Sequence, residues 1–157
     1  MALQFSLPLS TLLGRARSVF AVEFEERIRS AGLDGMTLSL GINVMRHLSG
    51  DNRIRLGVLA EQAGVTKQAI SQQVTYLEAN GYVVVEPDPD DSRAKTVRLT
   101  EKGIGSQKVA RPIFGAVERD WEKRFGREDV KDLRRILERI LEQLEDTEVV
   151  PRRRGAR

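Results

Sequence analysis

A row of amide and hydroxyl side chains recurs at helical spacing between residues 66 and 80. The row comprises Lys67, Gln68, Ser71, Gln72 and Thr75, and the apolar positions opposite it are Ile70, Val74 and Leu77. A surface helix that needs only solubility usually carries Glu and Lys at such positions. Amides and hydroxyls instead pair with the edges of DNA bases, each good pair contributing about 1–3 kcal/mol of discrimination. The row predicts a DNA-reading helix, and a polar face in a helical bundle is the alternative.

A second candidate is the stretch EPDPDDSRAKTVRLT (86–100), which places Arg93 in a turn rich in aspartate and proline. The β-branched runs 82–86 and 95–99 on either side predict two strands joined by a long loop. A guanidinium suits a narrow minor groove, where the negative potential is enhanced. We expect Asp91 to hold Arg93 in a bidentate salt bridge and so to aim it. The alternative is that this pair only stiffens the loop, and both roles are compatible.

The elements that precede the hairpin decide how these residues are presented. Two helices are predicted within 57–65 and 66–81, separated by the tight connection AGVT, with Thr66 as the N-cap of the second. Such a pair is a helix-turn-helix candidate, and a hairpin directly after it predicts a winged helix-turn-helix. Lys95 and Arg98 in the second strand of the hairpin are candidate phosphate contacts, which carry no base information.

Helices are also predicted elsewhere in the chain, at 10–31, between Thr37 and Gly50, from Thr100 onwards and after Gly126. Pro112 should bend or break the helix that Thr100 opens, because proline removes a backbone donor. The apolar stripes of the terminal helices need burial, which favours a second copy of the chain over a short intramolecular pair. The residues expected at that dimer interface are Leu12, Leu13, Phe20, Leu133, Leu137, Ile140 and Leu144.

Composition limits the classes of function. The net charge is +3, but the tail PRRRGAR (151–157), predicted to be disordered, holds four arginines. Without that tail, 22 basic residues face 23 acidic ones, so DNA binding must come from local placement of charge. The 157 residues suit one domain, and no apolar run approaches the roughly 20 residues that cross a bilayer.

Reactive side chains are scarce. The absence of cysteine excludes disulfides, thiolate zinc sites and a thiol redox switch, and it is compatible with a reducing cytoplasm, our expected location. His47 is the single histidine, and we expect it to have a structural or surface role. With no cysteine nucleophile and no glycine-rich phosphate loop, we expect no enzymatic activity, no cofactor and no metal.

The run LEANGYVVVEPDPDDSRAKTVRLTEKG (77–103) resembles the signature of the MarR family of winged helix-turn-helix transcriptional regulators. The features that carry the resemblance are the helix end with Leu77, Asn80 and Gly81, the Asp-x-Arg wing tip at Asp91 and Arg93, and Leu99, Thr100 and Gly103. The upstream run MTLSLGINVMRHLS aligns with the family's helix before the reading head, and the run GVLAEQAGVTKQAISQQVTYLE aligns with the reading head itself. The resemblance covers about residues 37–103, and the terminal helices match only by pattern.

The resemblance implies a mainly α fold, a winged helix-turn-helix with a small β-hairpin wing and an N/C-terminal helical dimerisation region. Residues 1–150 would form one domain, with dimerisation helices at about 10–31 and 104–146 and a DNA-binding part at about 37–100. The implied function is sequence-specific binding of a pseudo-palindromic operator by a homodimer, most often as a repressor that responds to a small aromatic or lipophilic ligand. The resemblance identifies no ligand-binding residue. The alternative is a winged-helix protein-interaction module without specific DNA binding. The residues expected to serve DNA binding are Lys67, Gln68, Ser71, Gln72, Thr75, Asp91, Arg93 and Lys95.

Overall fold

The structure is a computed structural model that describes residues 6–145, except the side chains of residues 144 and 145. The predicted tail, 151–157, lies outside the described residues, as does the side chain of Leu144. The helices are α1 (Leu9–Ser30), α2 (Leu38–Asn43), a 3-10 turn (Met45–His47), α3 (Leu56–Ala63), α4 (Lys67–Ala79), α5 (Glu101–Phe125) and α6 (Arg127–Glu145). The strands are β1 (Ile54–Arg55), β2 (Val83–Pro87) and β3 (Lys95–Leu99), and they form an antiparallel sheet in the order β1-β3-β2.

Threonine hydroxyls fix where three of the helices begin. The side-chain oxygens of Thr37, Thr66 and Thr100 accept from the backbone N–H groups of Leu40, Ala69 and Gly103 at 3.1–3.2 Å. An N-cap of this kind typically stabilises a helix by about 1 kcal/mol because it satisfies a backbone donor at the open end. The N-cap predicted at Thr66 is confirmed, and the helices predicted to begin at Thr37 and Thr100 begin directly after those residues.

One hydrophobic core connects the helix-turn-helix to the long helices. Phe24 and Ile28 from α1 and Val117 from α5 are buried together with Leu59 from α3 and Leu77 from α4. The sheet buries the apolar side chains of Val83, Val97 and Leu99 in the same core. The predicted fold, a mainly α winged helix-turn-helix, is confirmed.

The helix predicted between Thr37 and Gly50 is shorter than expected. Helix α2 ends at Asn43, Val44 takes a φ of −119°, and the chain continues as the 3-10 turn. The Gln107 side-chain amide, from α5, donates to the carbonyl oxygens of Met45 and Leu48 at 2.6 and 2.8 Å. The Gln107 amide, about 60 residues away in sequence, therefore satisfies carbonyl oxygens that would accept backbone hydrogen bonds in a longer helix. Local periodicity does not indicate this long-range contact.

Pro112 was predicted to bend or break the helix that Thr100 opens, and the break is wrong. Helix α5 includes Pro112 and continues to Phe125 without interruption. Its contacts with α1 hold both halves in place, since Phe114 lies 4.3 Å from Phe24 between ring centroids and Val117 is fully buried. Tertiary packing outweighs the backbone donor that proline removes.

Two glycines near the start of α5 give a matched test of this packing. A Cβ at Gly103 would collide with the carbonyl oxygen of Tyr82 and press on Leu99, whereas a Cβ at Gly105 would meet open space. Gly103→Ala should destabilise the protein by about 1–3 kcal/mol because backbone must shift. Gly105→Ala should stabilise it by about 0.5–1 kcal/mol through helix propensity. Urea denaturation measures both free energies of unfolding, and equal effects at the two positions would contradict the predicted close approach.

Candidate nucleic-acid interface

The reading helix α4 presents the predicted row on its outer side. Ile70, Val74 and Leu77 are at most 2% exposed and fix the inner face. The residues on the outer side are Lys67, Gln68, Ser71, Gln72 and Thr75, and all five are exposed. Hydrogen-bonding side chains therefore lie along one accessible face of a 13-residue helix that follows α3 after a tight turn. This arrangement supplies both donors and acceptors to a partner with planar polar edges.

Sequence analysis did not single out Tyr76, which is also exposed on α4. Its hydroxyl donates to the carbonyl oxygen of Gly35 at 3.2 Å and so ties the reading helix to the loop before α2. A cavity of about 380 Å³ opens beside this contact, lined by Gly35, Thr37, Leu40, Gln72, Gln73 and Tyr76. An exposed aromatic residue beside the polar row is the signal that could have identified it.

The wing carries Arg93 exposed in the loop between β2 and β3, with exposed Lys95 at the start of β3. Arg98 is half-buried, and its guanidinium donates to both carboxylate oxygens of Glu86, at 2.9 and 3.3 Å. This hydrogen bond lowers the pKa of the Glu86 carboxyl group and raises that of Arg98. Arg93 and Lys95 are therefore the more accessible cations for an external anion, whereas Arg98 has a protein partner.

The predicted salt bridge between Asp91 and Arg93 does not appear among the ion pairs of the described residues. The Asp91 carboxylate instead accepts from the backbone N–H of Arg93 at 3.1 Å, and its carbonyl accepts from Ala94 N–H at 2.9 Å. A short acidic side chain reaches the backbone two residues on more readily than the end of a long guanidinium. Asp91 therefore shapes the loop, which is the alternative role that the sequence left open.

A different carboxylate binds an arginine in the wing. Asp88, only 6% exposed, accepts a hydrogen bond of 2.5 Å from Nε of Arg55. The Arg55 guanidinium holds the pKa of the Asp88 carboxyl group below its ordinary value, and backbone N–H groups of the loop act in the same direction. Sequence analysis missed this pair because its members lie 33 residues apart and β1 has only two residues.

The predicted dimerisation residues fall into two groups. Leu12, Leu13, Leu133, Leu137 and Ile140 are between 38% and 46% exposed, so the described chain leaves them largely uncovered. Phe20 differs, because its ring packs in its own subunit against Trp121 and Phe114, at centroid distances of 5.4 and 6.5 Å. Phe20 is half-buried by these contacts and is less available to a second copy than predicted.

A crevice of about 530 Å³ lies between α1 and α5, and ion pairs cross it. Arg27 binds Asp120 at 2.6 Å, and Glu23 accepts from Arg124 at 2.7 Å and from the indole N–H of Trp121 at 3.1 Å. The Arg124 hydrogen bond lowers the pKa of the Glu23 carboxyl group. These charged groups are paired with one another. The contacts in the crevice therefore hold α1 and α5 together and leave few polar groups for a ligand.

Within residues 6–145 the structure contains neither a cluster suited to a metal ion nor a helix suited to spanning a membrane. No group of three or more His, Cys, Asp and Glu side chains in that range is placed to hold a metal ion. None of the helices described there is long and apolar enough to cross a membrane. His47 is half-buried in the 3-10 turn, where burial lowers its pKa.

Comparison with known proteins gives a match to one family model over part of the chain and a likeness in fold over most of it. Residues 34–94 match the model of the MarR family. A curated relative, the LexA repressor of Deinococcus radiodurans, is 34% identical over 61 residues, which are 39% of this chain and 27% of that protein. The chain thus matches only about a quarter of that relative's length.

Two solved structures extend the likeness in fold to most of the chain. The transcriptional repressor CouR, bound to a 23-mer DNA duplex, has a TM-score of 0.72 and 21% identity, over 85% of this chain and 92% of CouR. The transcriptional regulator PcaV of Streptomyces coelicolor, in complex with its natural ligand, has a TM-score of 0.72 and 15% identity, over 90% of this chain and 97% of PcaV. At these identities the structural likeness establishes the fold.

The Arg55–Asp88 pair predicts how stability depends on pH. The pKa of Asp88 is lowered in the folded state from an ordinary value of 3.8. Its contribution is therefore complete above about pH 5 and is lost as the pH falls through the folded value. Melting temperatures followed by circular dichroism from neutral to acidic pH should decrease less steeply for Asp88→Asn than for the wild type. The same acid dependence in both proteins would contradict the assignment.

Proposed function

We propose that this chain is a member of the MarR family, a sequence-specific DNA-binding transcriptional regulator that acts in the cytoplasm as a homodimer. The observation that carries the proposal is the exposed polar row of α4 combined with an exposed Arg93 in the adjoining wing. A base-reading helix needs hydrogen-bonding side chains on its accessible face, and a wing needs a cation at its tip. Both are present within one helix-turn-helix and hairpin.

In this proposal α4 enters the major groove. Gln68 and Gln72 are one helical turn apart on its exposed face, and glutamine bonds adenine through both of its amide atoms. Ser71 and Thr75 are also one turn apart and offer hydroxyls to neighbouring bases. Lys67 at the first turn adds a cation where the helix dipole already favours a phosphate.

The wing lies alongside and supplies charge. Arg93 reaches the minor groove, and Lys95 contacts the phosphate backbone. Asp91 contributes by shaping the loop through its hydrogen bond to the Arg93 backbone. In this arrangement α4 recognises the base sequence, and the wing supplies most of the electrostatic attraction to DNA.

A second copy of the chain covers the exposed apolar residues of α1 and α6. Leu133, Ile136, Leu137, Ile140 and Leu141 form a stripe along α6, and all are at least 38% exposed. Such a stripe is costly in water and is buried well by an equivalent stripe. Two-fold symmetry then sets two reading helices about 34 Å apart, one turn of duplex, and so requires a pseudo-palindromic operator.

We also propose that the regulator is a repressor whose DNA binding responds to a small aromatic or lipophilic ligand. The likeness in fold to the repressor CouR and to the ligand-bound PcaV supports this role. The cavity beside α4 is the candidate site, because Gln72 lines it and an occupant would compete with base contacts. Footprinting of the DNA upstream of the coding sequence, with and without aromatic acids, tests the response. A footprint that is unchanged at saturating concentrations of the aromatic acid would contradict the proposed ligand response.

A protein-interaction module without specific DNA binding is the second candidate. The exposed Val58 on α3 and Tyr76 on α4 favour it, because large apolar groups on a helix-turn-helix suit a protein partner. Equal affinity for the upstream duplex and a scrambled duplex in a gel shift at moderate salt would favour this candidate over the regulator.

Two substitutions should separate affinity from specificity. Arg93→Ala removes a contact common to all sequences and should weaken binding to operator and scrambled duplexes alike, by about tenfold. Gln72→Ala removes base contacts and should reduce the preference for operator over scrambled DNA by about 1–3 kcal/mol. Fluorescence anisotropy with both duplexes measures the two effects. Arg119→Ala, which removes an exposed arginine on α5, controls for net charge, and an equal loss in that variant would refute the role of Arg93.

If α6 forms the dimer interface, one substitution on α6 should abolish both dimerisation and operator binding. Leu137→Glu places a charge within the apolar stripe and should yield a monomer, because an unpaired charge at the centre of an interface is strongly unfavourable. Light scattering after size exclusion measures the mass, and operator affinity should fall about 100-fold or more as the two-site contact is lost. Arg139→Ala, also exposed on α6, is the control. A Leu137→Glu protein that remains dimeric would place the interface elsewhere.

A further inference from the structure

The sheet has two faces of opposite character, and the outer one carries ordered charge. Residues paired across an antiparallel sheet lie on the same face, and the register aligns Arg55 with Thr96 and Thr96 with Glu86. Alternation along β2 and β3 adds Asp88 and Arg98 to that face. The opposite face holds the buried apolar residues of the sheet. Charged groups from all three strands therefore share one surface of the wing.

Within this surface the charges are paired in two units. Glu86 lies between two cations, with Arg98 at 2.9 Å and Arg53 at 3.2 Å. Arg55 and Asp88 form the second unit, nearer the wing loop. Thr96 is only 5% exposed although it is polar and sits on the outer face. The ion-paired side chains therefore lie over the sheet and exclude water from its centre.

Arg55 occupies a particular place in the chain. It is the last residue of β1 and also the N-cap residue of α3, where the helix-turn-helix begins. Its guanidinium reaches Asp88, the residue directly after β2, where the wing loop begins. A single ion pair thus connects the start of the helix-turn-helix to the base of the wing loop.

From Asp88 a chain of hydrogen bonds continues to Arg93. Asp88 Oδ1 accepts from Asp90 N–H at 2.8 Å, and Asp88 N–H donates to the carbonyl of Ala94 at 2.9 Å. Ala94 N–H in turn donates to the carbonyl of Asp91, whose carboxylate holds the Arg93 backbone. The orientation of the loop that presents Arg93 therefore depends on the position of Asp88.

We propose that the Arg55–Asp88 ion pair is a brace that sets the direction of the wing loop relative to α3 and α4, so that Arg55 and Asp88 are positioning residues for DNA recognition. The inference rests on the proposed DNA-binding function. Neither residue needs to touch DNA. The hydrogen bond from Arg55 lowers the pKa of the Asp88 carboxyl group and outweighs the opposing effect of burial, so the carboxylate is ionised and bound to Arg55 at neutral pH. Without the brace, Arg93 remains present and charged but is no longer held at the groove.

A double-mutant cycle between the brace and the wing cation tests the proposal. Asp88→Asn removes the charge while keeping the shape of the side chain, and Arg93→Ala removes the aimed group. If the brace aims Arg93, Arg93→Ala should cost about tenfold in operator affinity in the wild type but less than about twofold in Asp88→Asn. Fluorescence anisotropy at constant salt supplies the four affinities. A brace that only stabilised the fold would leave the cost of Arg93→Ala unchanged.

The control variant is Glu86→Gln, which removes the other carboxylate of the same face. Glu86 pairs with Arg53 and Arg98, and no hydrogen bond joins its side chain to the described wing loop. Arg93→Ala should therefore retain nearly its full tenfold effect in Glu86→Gln. Arg55→Gln repeats the cycle from the other side of the brace. It also replaces Asp88→Asn if that variant does not fold, as judged by circular dichroism.

The outcomes separate the brace from the function on which it rests. Wild-type protein that binds operator and scrambled duplex equally would overturn the proposed function and the brace with it. Wild-type protein that discriminates, with the same cost for Arg93→Ala in every background, would overturn the brace alone. Coupling of similar size in Asp88→Asn and Glu86→Gln would also overturn it, since the whole charged face and not this pair would then orient the loop.

Discussion

The burial of one face of α4 is the constraint on which the rest of the molecule depends. Ile70, Val74 and Leu77 occupy the centre of the core, so the rotation of the helix about its own axis is fixed. Burying three such side chains contributes several kcal/mol, at roughly 1.5–3 kcal/mol each. The polar row opposite them contributes little to folding, and its direction follows from the apolar face. The helix that would read DNA is therefore oriented by residues that never leave the protein interior.

Local chemistry explains why the sequence was sufficient to predict α4 and the two strands of the hairpin. A 3.6-residue period, a threonine N-cap and β-branched runs all act within a few residues, so each can be read without knowing the fold. The break predicted as one outcome at Pro112 does not occur, because α5 packs on α1 and the same local rules ignore that packing. Likewise the early end of α2 depends on Gln107, whose amide arrives from a helix about 60 residues later. Interactions between distant residues are the part that periodicity and spacing do not encode.

The wing shows the same limit within the candidate site. The sequence offers three aspartates in the loop region, and by spacing alone Asp91 is the natural partner for Arg93. The carboxylate that holds an arginine is Asp88, and the arginine is Arg55 from a two-residue strand. Sheet register decides this outcome, since it places Arg55 opposite Thr96 of the central strand β3, on the same face as Glu86 and Asp88. The residue types could be predicted from the sequence, but their pairing required the topology.

The acidic character of the wing then has a physical explanation. Glu86 and Asp88 carry charges that would repel phosphate, yet three arginines of the same face bind them. Their fields are largely cancelled at the distance of a DNA backbone, because an ion pair decays faster with distance than a single charge. Asp90 and Asp91 lie in the loop itself, where they oppose approach by any phosphate that is not already matched to Arg93. A wing of this composition favours a defined docking geometry over general attraction, which agrees with a chain whose basic residues, apart from its tail, do not outnumber its acidic ones.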